Sequence, residues 1–178
     1  FVTAAATADG RETEAVGLGR ELHLAGTGVT GFALRWKGTV VHLAAVVSTP
    51  VHFAHDRAME QVNHWGTANL VSACVECGVS RLVYVSSHAV YGPGGPHAEG
   101  DACRPVGSYA TSLHNAEQSV LAAAGRGLRA QVLRFGSFYG DAPVARYDNV
   151  VNRFAILAAL GKPVTVYGSG QQRRPVLS

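Results

Sequence analysis

Residues 81 to 92 read Arg81-Leu82-Val83-Tyr84-Val85-Ser86-Ser87-His88-Ala89-Val90-Tyr91-Gly92. The first six form a nearly continuous apolar run, rich in β-branched and aromatic side chains, of the kind buried on both faces of a parallel sheet. The run stops abruptly at hydroxyls and a glycine, so a strand is expected over Arg81 to Ser86 with a polar turn at its end. Upstream, Thr39 to Val46 (TVVHLAAV) has the same character and predicts a second strand. Between them, Ala58, Val62, Leu70, Val71 and Cys74 recur at helical spacing, which predicts a helix from Asp56 to Cys77 that Gly78 is placed to stop.

Downstream the alternation continues. A Gly/Pro-rich loop runs through Gly107, and Ser108 is the expected N-cap of a helix reaching about Ala124, with Gly125 and Gly127 beyond it. Arg129 to Phe135 (RAQVLRF) returns as a strand, Asn149 to Leu160 as a helix ended by Gly161, and Val164 to Tyr167 as a last short strand. Glu21 to Ala25 reads as a short strand, whereas residues 1 to 20 hold no sustained period and stay unassigned. Strands alternating with helices imply right-handed βαβ crossovers, hence an α/β fold with a parallel sheet and helices on both faces. Ligands in such sheets sit at the carboxyl ends of the strands, which here are Ala44-Ala45, Ser86-Ser87 and Gly136-Ser137.

With 178 residues, 47% of them hydrophobic and 15% charged, the chain can build one sizeable core but not two. Its 15 basic and 12 acidic residues are scattered, apart from Arg173-Arg174, which is no nucleic-acid footprint. No membrane-length apolar run or leader-like N-terminus is present, so a soluble, cytoplasmic protein without membrane or nucleic-acid partners is expected. Three cysteines, Cys74, Cys77 and Cys103, cannot all pair with one another, which agrees with a reducing compartment. The chain opens on Phe1 rather than Met, which suggests a fragment or a processed product.

Tyr109 follows Ser87 by 22 residues, in the first turn of a predicted helix, so a phenol and a hydroxyl can meet over the sheet edge. Such a pair suits proton exchange with a substrate hydroxyl or carbonyl while a nicotinamide exchanges hydride. An ordinary phenol holds its proton to about pH 10, so work near neutrality calls for a nearby cation.

The ordered series VVHLAA, Asn63-x-x-Gly66-Thr67-x-Asn69-Leu70, YVSSHAVYG, SYATSxxxAEQ, LRFGSFYG and GKPVTVYGSGQQRR, spanning residues 39 to 178, resembles the NAD-dependent epimerase/dehydratase family of extended short-chain dehydrogenases/reductases. The resemblance implies a Rossmann-like doubly wound parallel sheet that binds NAD or NADP. By the same comparison Ser87 and Tyr109 match the catalytic hydroxyl and catalytic tyrosine, and Leu43, Ala44 and Ala45 the stretch that passes under the cofactor. Asn63 matches an active-site-supporting asparagine grouped with the cofactor-binding positions, although an asparagine there could equally bond the backbone between helix and sheet. Gly136 matches the backbone position beside the nicotinamide. Ser87, Ser137 and Arg174 fall at substrate positions, Arg174 where nucleotide-sugar members place an arginine near the substrate diphosphate.

Two departures qualify the match. The family's Tyr-x-x-x-Lys places a lysine one helical turn beyond the phenol, and this chain has Leu113, which supplies no charge. His114 lies about 100° further round the helix and is not expected to replace it. Second, the glycine-rich turn of the family's first βαβ unit has no counterpart. Gly26 to Gly31 fits Gly-x-Gly-x-x-Gly by letter but leaves too little chain before the strand at Val40 for a crossover helix. The first βαβ unit is therefore expected to be absent, leaving residues 21–148 as a partial NAD(P)-binding domain and 149–178 as the start of a small substrate lobe. His88 and Ala89 stand where nucleotide-sugar dehydrating members carry Asp and Glu, which argues against 4,6-dehydration.

Cys74-x-x-Cys77 reads as buried small hydrophobes, and His52, His55 and His64 as surface or loop residues, so no metal is expected. The resulting expectation is an oxidoreductase or epimerase acting on a hydroxyl or carbonyl of a small molecule, such as a nucleotide sugar or a sterol-like substrate. The alternative is an inactive relative serving as a binding or regulatory module. A homodimer through the helices at 56–77 and 108–124 is the expected assembly.

Overall fold

A computed structural model of the chain describes residues 4–7, 38–47, 56–140 and 147–178. The sheet has the strand order β1-β2-β3-β4, where β1 is Ala4–Thr7, β2 Thr39–His42, β3 Arg81–Ser87 and β4 Arg129–Phe135. β2, β3 and β4 run parallel, from Thr39 opposite Arg81 to Ser87 opposite Phe135. β1 pairs antiparallel with β2, an edge strand that the apolar pattern of the first 20 residues did not announce. The strand expected at Glu21 to Ala25 and the glycine run at Gly26 to Gly31 lie outside the described residues.

The helix expected from Asp56 to Cys77 forms as one rod over residues 56–76. It comprises α1 (Asp56–Met59), a π-helical stretch (Glu60–Gly66) and α2 (Thr67–Glu76). The next crossover helix is α3 (Gly107–Ala122), entered from Val106 in an extended conformation with no side-chain cap, so Ser108 is not the N-cap. It tightens into a 3-10 turn and ends at Gly127, whose φ of 86° is the left-handed conformation that glycine adopts without a Cβ clash. The rod and α3 pack against each other, and so lie on one face of the sheet. Two right-handed crossovers that advance in the same direction across a sheet must do so. The second helical layer of a doubly wound sheet is not among the described residues.

Side-chain alternation along β3 follows from that packing. Leu82, Tyr84 and Ser86 point into the helical layer and are 5% exposed or less, whereas Val83 and Val85 face the other way and are half-buried. The core joins Leu82, Tyr84 and Val40 to Leu70, Val71 and Cys74 of α2 and to Leu113, Ala116 and Val120 of α3. Fully burying a side chain of this size contributes about 1.5–3 kcal/mol each.

Two elements differ from expectation. β2 stops at His42 rather than Val46, because the side-chain amide of Asn63 takes over the backbone of Val46, accepting from its N–H at 2.7 Å and donating to its carbonyl at 2.9 Å. Residues 164–167 form no strand: Val166 and Tyr167 are 56% and 74% exposed, and a strand needs a paired edge and a covered face to persist. The chain pairs later instead, Val176–Leu177 (β6) lying parallel to Ser137–Phe138 (β5). Between them α4 (Val150–Ala159) is capped by Asn149, whose side chain accepts from Asn152 N–H at 2.8 Å. No helix among the described residues is long and apolar enough to cross a membrane.

Candidate active site

The carboxyl ends of β2, β3 and β4 open into a cleft of about 1310 Å³. Ser87, Tyr109, Gly136, Ser137 and Arg174 line it together, as do Leu43 and Ala45. The phenol and hydroxyl picked out in the sequence therefore share one rim of the sheet. Ala44 and Asn63 are not part of the cleft wall.

Ser87 closes β3 and caps the 3-10 turn His88–Tyr91, its Oγ accepting from Ala89 N–H at 3.2 Å. That contact uses a lone pair and leaves the hydroxyl proton to donate. Tyr109 is partly buried, packed against the core from the first turns of α3. Its placement traces back to Asn63, which is fully buried. Besides holding Val46, the Asn63 amide donates to Ser112 Oγ at 3.1 Å, and Ser112 in turn donates to the Tyr109 carbonyl at 2.9 Å. Asn63 thus ties the segment after β2, the rod and α3 into one unit behind the cleft. The π-helical stretch in which it sits is a recurrent feature near functional sites.

Leu113 is 1% exposed and belongs to the core while also touching the cleft. An aliphatic side chain occupies the place of the lysine, completing the packing beneath Tyr109. His114 turns elsewhere: its Nδ1 is 3.9 Å from Glu117 Oε2. Gly136 has a second reason to be glycine, because a Cβ there would meet the Pro175 carbonyl oxygen at 2.5 Å and its carbon at 2.8 Å. The segment bearing Arg174 closes over β4 only because this position is bare, and Ser137 N–H donates to the Pro175 carbonyl at 2.9 Å.

Sequence reasoning did not assign a buried ion pair at the base of α3. The guanidinium of Arg134 on β4 donates to both oxygens of Glu117, with Nη2 at 2.6 Å from Oε2 and Nε at 3.0 Å from Oε1. Glu117 is fully buried, and Arg134 also sits 4.7 Å over the ring of Tyr91. Its hydrogen bonds to Glu117 hold the guanidinium above its ordinary pKa. The signal lay in the quoted AEQ run, but its partner 17 residues away on β4 carries no pattern. Cys103, His114 and Glu117 bring their ligand atoms within 4.8 Å of one another, yet Arg134 already engages both carboxylate oxygens. Cys74 is buried among apolar side chains, which together with Cys77 pushes its thiol up to about 11 and makes it a poor nucleophile or ligand. His52 and His55 lie outside the described residues, and His64 pairs with Glu60 on its own helix.

The cleft carries both apolar and polar groups. Leu43, Ala45 and Val85 give it apolar walls, and Ser87 and Tyr109 bring hydroxyls to the rim. The N-terminus of α4 also borders the cleft, with Asn149, Arg153 and Arg174 in the wall, and such a set of cationic and backbone donors suits an anionic group.

The model of the NAD-dependent epimerase/dehydratase family matches residues 37–178. A UDP-N-acetyl-alpha-D-glucosaminuronate decarboxylase of Bacillus cytotoxicus is 31% identical over 143 residues, covering 76% of this chain and 44% of that protein. The 3beta-hydroxysteroid dehydrogenase/Delta(5)-Delta(4) isomerase 1 of Caenorhabditis elegans is 36% identical over 126 residues, 67% of this chain and 27% of that one. Among solved structures, MoeE5 in complex with UDP-glucose and NAD superimposes with a TM-score of 0.67 at 36% identity, covering 78% of this chain and 47% of that one. The chain spans less than half the length of each of these relatives.

Proposed function

Since the chain belongs to the NAD-dependent epimerase/dehydratase family, we propose that its cleft is the reaction end of an NAD(P)-dependent site acting on a hydroxyl or carbonyl of a small molecule, a nucleotide sugar in the first instance. The observation that carries this reading is the convergence of Ser87 from β3 and Tyr109 from α3 on one cleft with Gly136 at its floor. A bound nicotinamide would supply hydride exchange. Leu43 and Ala45, with Gly136, would flank it. Ser87, whose lone pair is committed to Ala89 N–H, donates to the substrate oxygen, and the Tyr109 phenol exchanges the proton. Arg174 and the start of α4 take the anionic part of the substrate, so residues 149–178 serve as the beginning of a substrate lobe. Asn63 acts from behind as a positioning residue through Ser112 and the Tyr109 carbonyl.

The test measures NAD(H), NADP(H) and UDP-glucose binding by fluorescence and calorimetry, then turnover, in wild type, Tyr109→Phe and Leu113→Lys. Binding together with turnover that Tyr109→Phe abolishes supports the reading, and no binding even in Leu113→Lys defeats it. Leu113 itself favours a second reading, a binding module without turnover, which binding with no turnover in the wild type would support.

A homodimer through the helical face is also part of the proposal. Trp65 on the rod is 59% exposed and Leu121 on α3 is 47% exposed, apolar surface that a second copy would cover. Sedimentation should show a dimer that Trp65→Glu dissociates, and a monomeric wild type overturns this assembly.

A further inference from the structure

His88 follows Ser87 directly and lines the same cleft, together with Tyr109, Phe135 and Gly136. Its Nδ1 lies 3.3 Å from the carbonyl oxygen of Phe135, the last residue of β4. A carbonyl only accepts, so this contact requires the proton on Nδ1, and a neutral ring then carries a bare lone pair on Nε2. The ring therefore bridges the ends of β3 and β4 with one nitrogen and presents a base with the other. Tyr109 lines the same cleft, and Leu113, one helical turn further along α3, is an aliphatic residue of the core. An ordinary phenol gives up its proton near pH 10, whereas imidazole is the side chain that ordinarily changes charge between pH 5 and 8.

We infer that His88 is a proton-exchanging residue of this cleft, its Nε2 taking the proton of a substrate hydroxyl, directly or by way of the Tyr109 phenol. The inference rests on the cleft being the reaction site proposed above. In the step an O–H bond breaks, its electron pair stays on oxygen, an Nε2–H bond forms, and the ring becomes an imidazolium still bonded to the Phe135 carbonyl. The reverse step returns the proton, so the residue serves both directions of a carbonyl/hydroxyl interconversion. The other titratable or charged groups in the cleft wall are Tyr109, Tyr139, Asp148, Arg153, Tyr167 and Arg174.

The test uses the full chain and two replacements. In His88→Asn the amide nitrogen stands where Nδ1 stood and keeps the donor to Phe135, while Nε2 is lost. His88→Gln places its amide nearer the Nε2 position and gives up the strand bridge. Long-range proton–nitrogen correlation spectra of the wild type should show Nδ1 protonated and Nε2 bare at pH 8, and a ring protonated on Nε2 overturns the inference. Turnover of UDP-glucose with NAD should fall at least tenfold in both variants. His88→Asn should keep the wild-type melting temperature and UDP-glucose affinity, and should alter the pH dependence of turnover. An Asn variant with wild-type turnover and pH profile would show His88 to be only a strap between strands. A wild type that binds NAD and UDP-glucose without turnover overturns the proton-exchange role alone. One that binds neither overturns the proposed site as well.

Discussion

Lowering the pH from 7 to 4.5 should cost this fold roughly 2–3 kcal/mol through His42 alone. The residue is 3% exposed, and its Nε2 is 2.9 Å from Thr67 Oγ1. Thr67 gives its only hydroxyl proton to the Asn63 carbonyl at 2.6 Å, so Nε2 must be the donor to Thr67. Among the described residues Nδ1 has no partner, so it is left as a buried lone pair and a proton placed there meets no acceptor among them. Burial accordingly holds this imidazole down from its ordinary 6.5 to about 4. A folded-state pKa below the unfolded one means that the unfolded chain takes up the proton first. The full contribution is therefore present above pH 6.5, declines as the pH falls, and is lost once pH 4 is passed. The whole gap amounts to roughly 3 kcal/mol, most of which accrues between pH 7 and 4.5. Other groups titrate in this window, so the comparison is with His42→Phe, which keeps a ring against Tyr84, 5.5 Å between centroids in the wild type, and cannot titrate. Urea denaturation at both pH values should show the wild type losing roughly 2–3 kcal/mol more than the variant. Equal losses would refute the neutral, acceptor-less imidazole.

Asn63→Ala strands the N–H and carbonyl of Val46 and frees Ser112, so a loss of about 2–4 kcal/mol is expected, read as a fall in melting temperature of about 4–16 °C. A loss under about 1 kcal/mol would show that water replaces the amide. Glu117→Gln leaves the Arg134 guanidinium beside a neutral amide and should cost about 3 kcal/mol, whereas adding Arg134→Met should recover part of it. Additive losses in that double-mutant cycle would mean that the pair is not coupled. Gly136→Ala places a methyl 2.5 Å from the Pro175 carbonyl oxygen and should unpair β5 from β6, seen as faster amide exchange at Ser137 and Tyr139, with the main sheet unaffected. Unchanged exchange at those amides would show that the segment has room to shift.

The elements legible in the sequence were those whose partners impose a period. The run at 81–87 is an interior strand of the described sheet, the run at 129–135 pairs with it along its whole length and packs on α3, and the 56–76 rod shows its apolar stripe, so composition alone locates them. Ala4–Thr7 carries no such stripe, and its pairing depends on an edge of β2 that nothing local encodes. Val164 to Tyr167 failed for the opposite reason: the residues favour a strand, but no strand among the described residues pairs with them. At the site, Ser87 and Tyr109 stood out because each ends or begins an element. The Asn63 clamp, the Glu117–Arg134 pair and the tautomer of His88 arise from contacts between distant segments, which a single sequence does not display.

The same contacts bear on what holds the proposed reaction rim together. Ser87 is set by the end of β3 and its own capped turn, Tyr109 by α3, and the register between them by Asn63, Ser112 and the Glu117–Arg134 pair. All of these lie within residues 46–135, so the geometry of the rim is independent of whatever grips the distal end of a cofactor. Leu113 fits this division. With its side chain 1% exposed and packed in the core, it exchanges a charge that would tune the phenol for apolar burial that holds α3 on the sheet. Restoring lysine at that position must then withdraw an aliphatic group from the core before its ammonium can reach the cleft. Any gain in Tyr109 acidity will therefore come with a loss of stability, and the two are separable only if melting temperature and phenol ionisation are measured on the same variant.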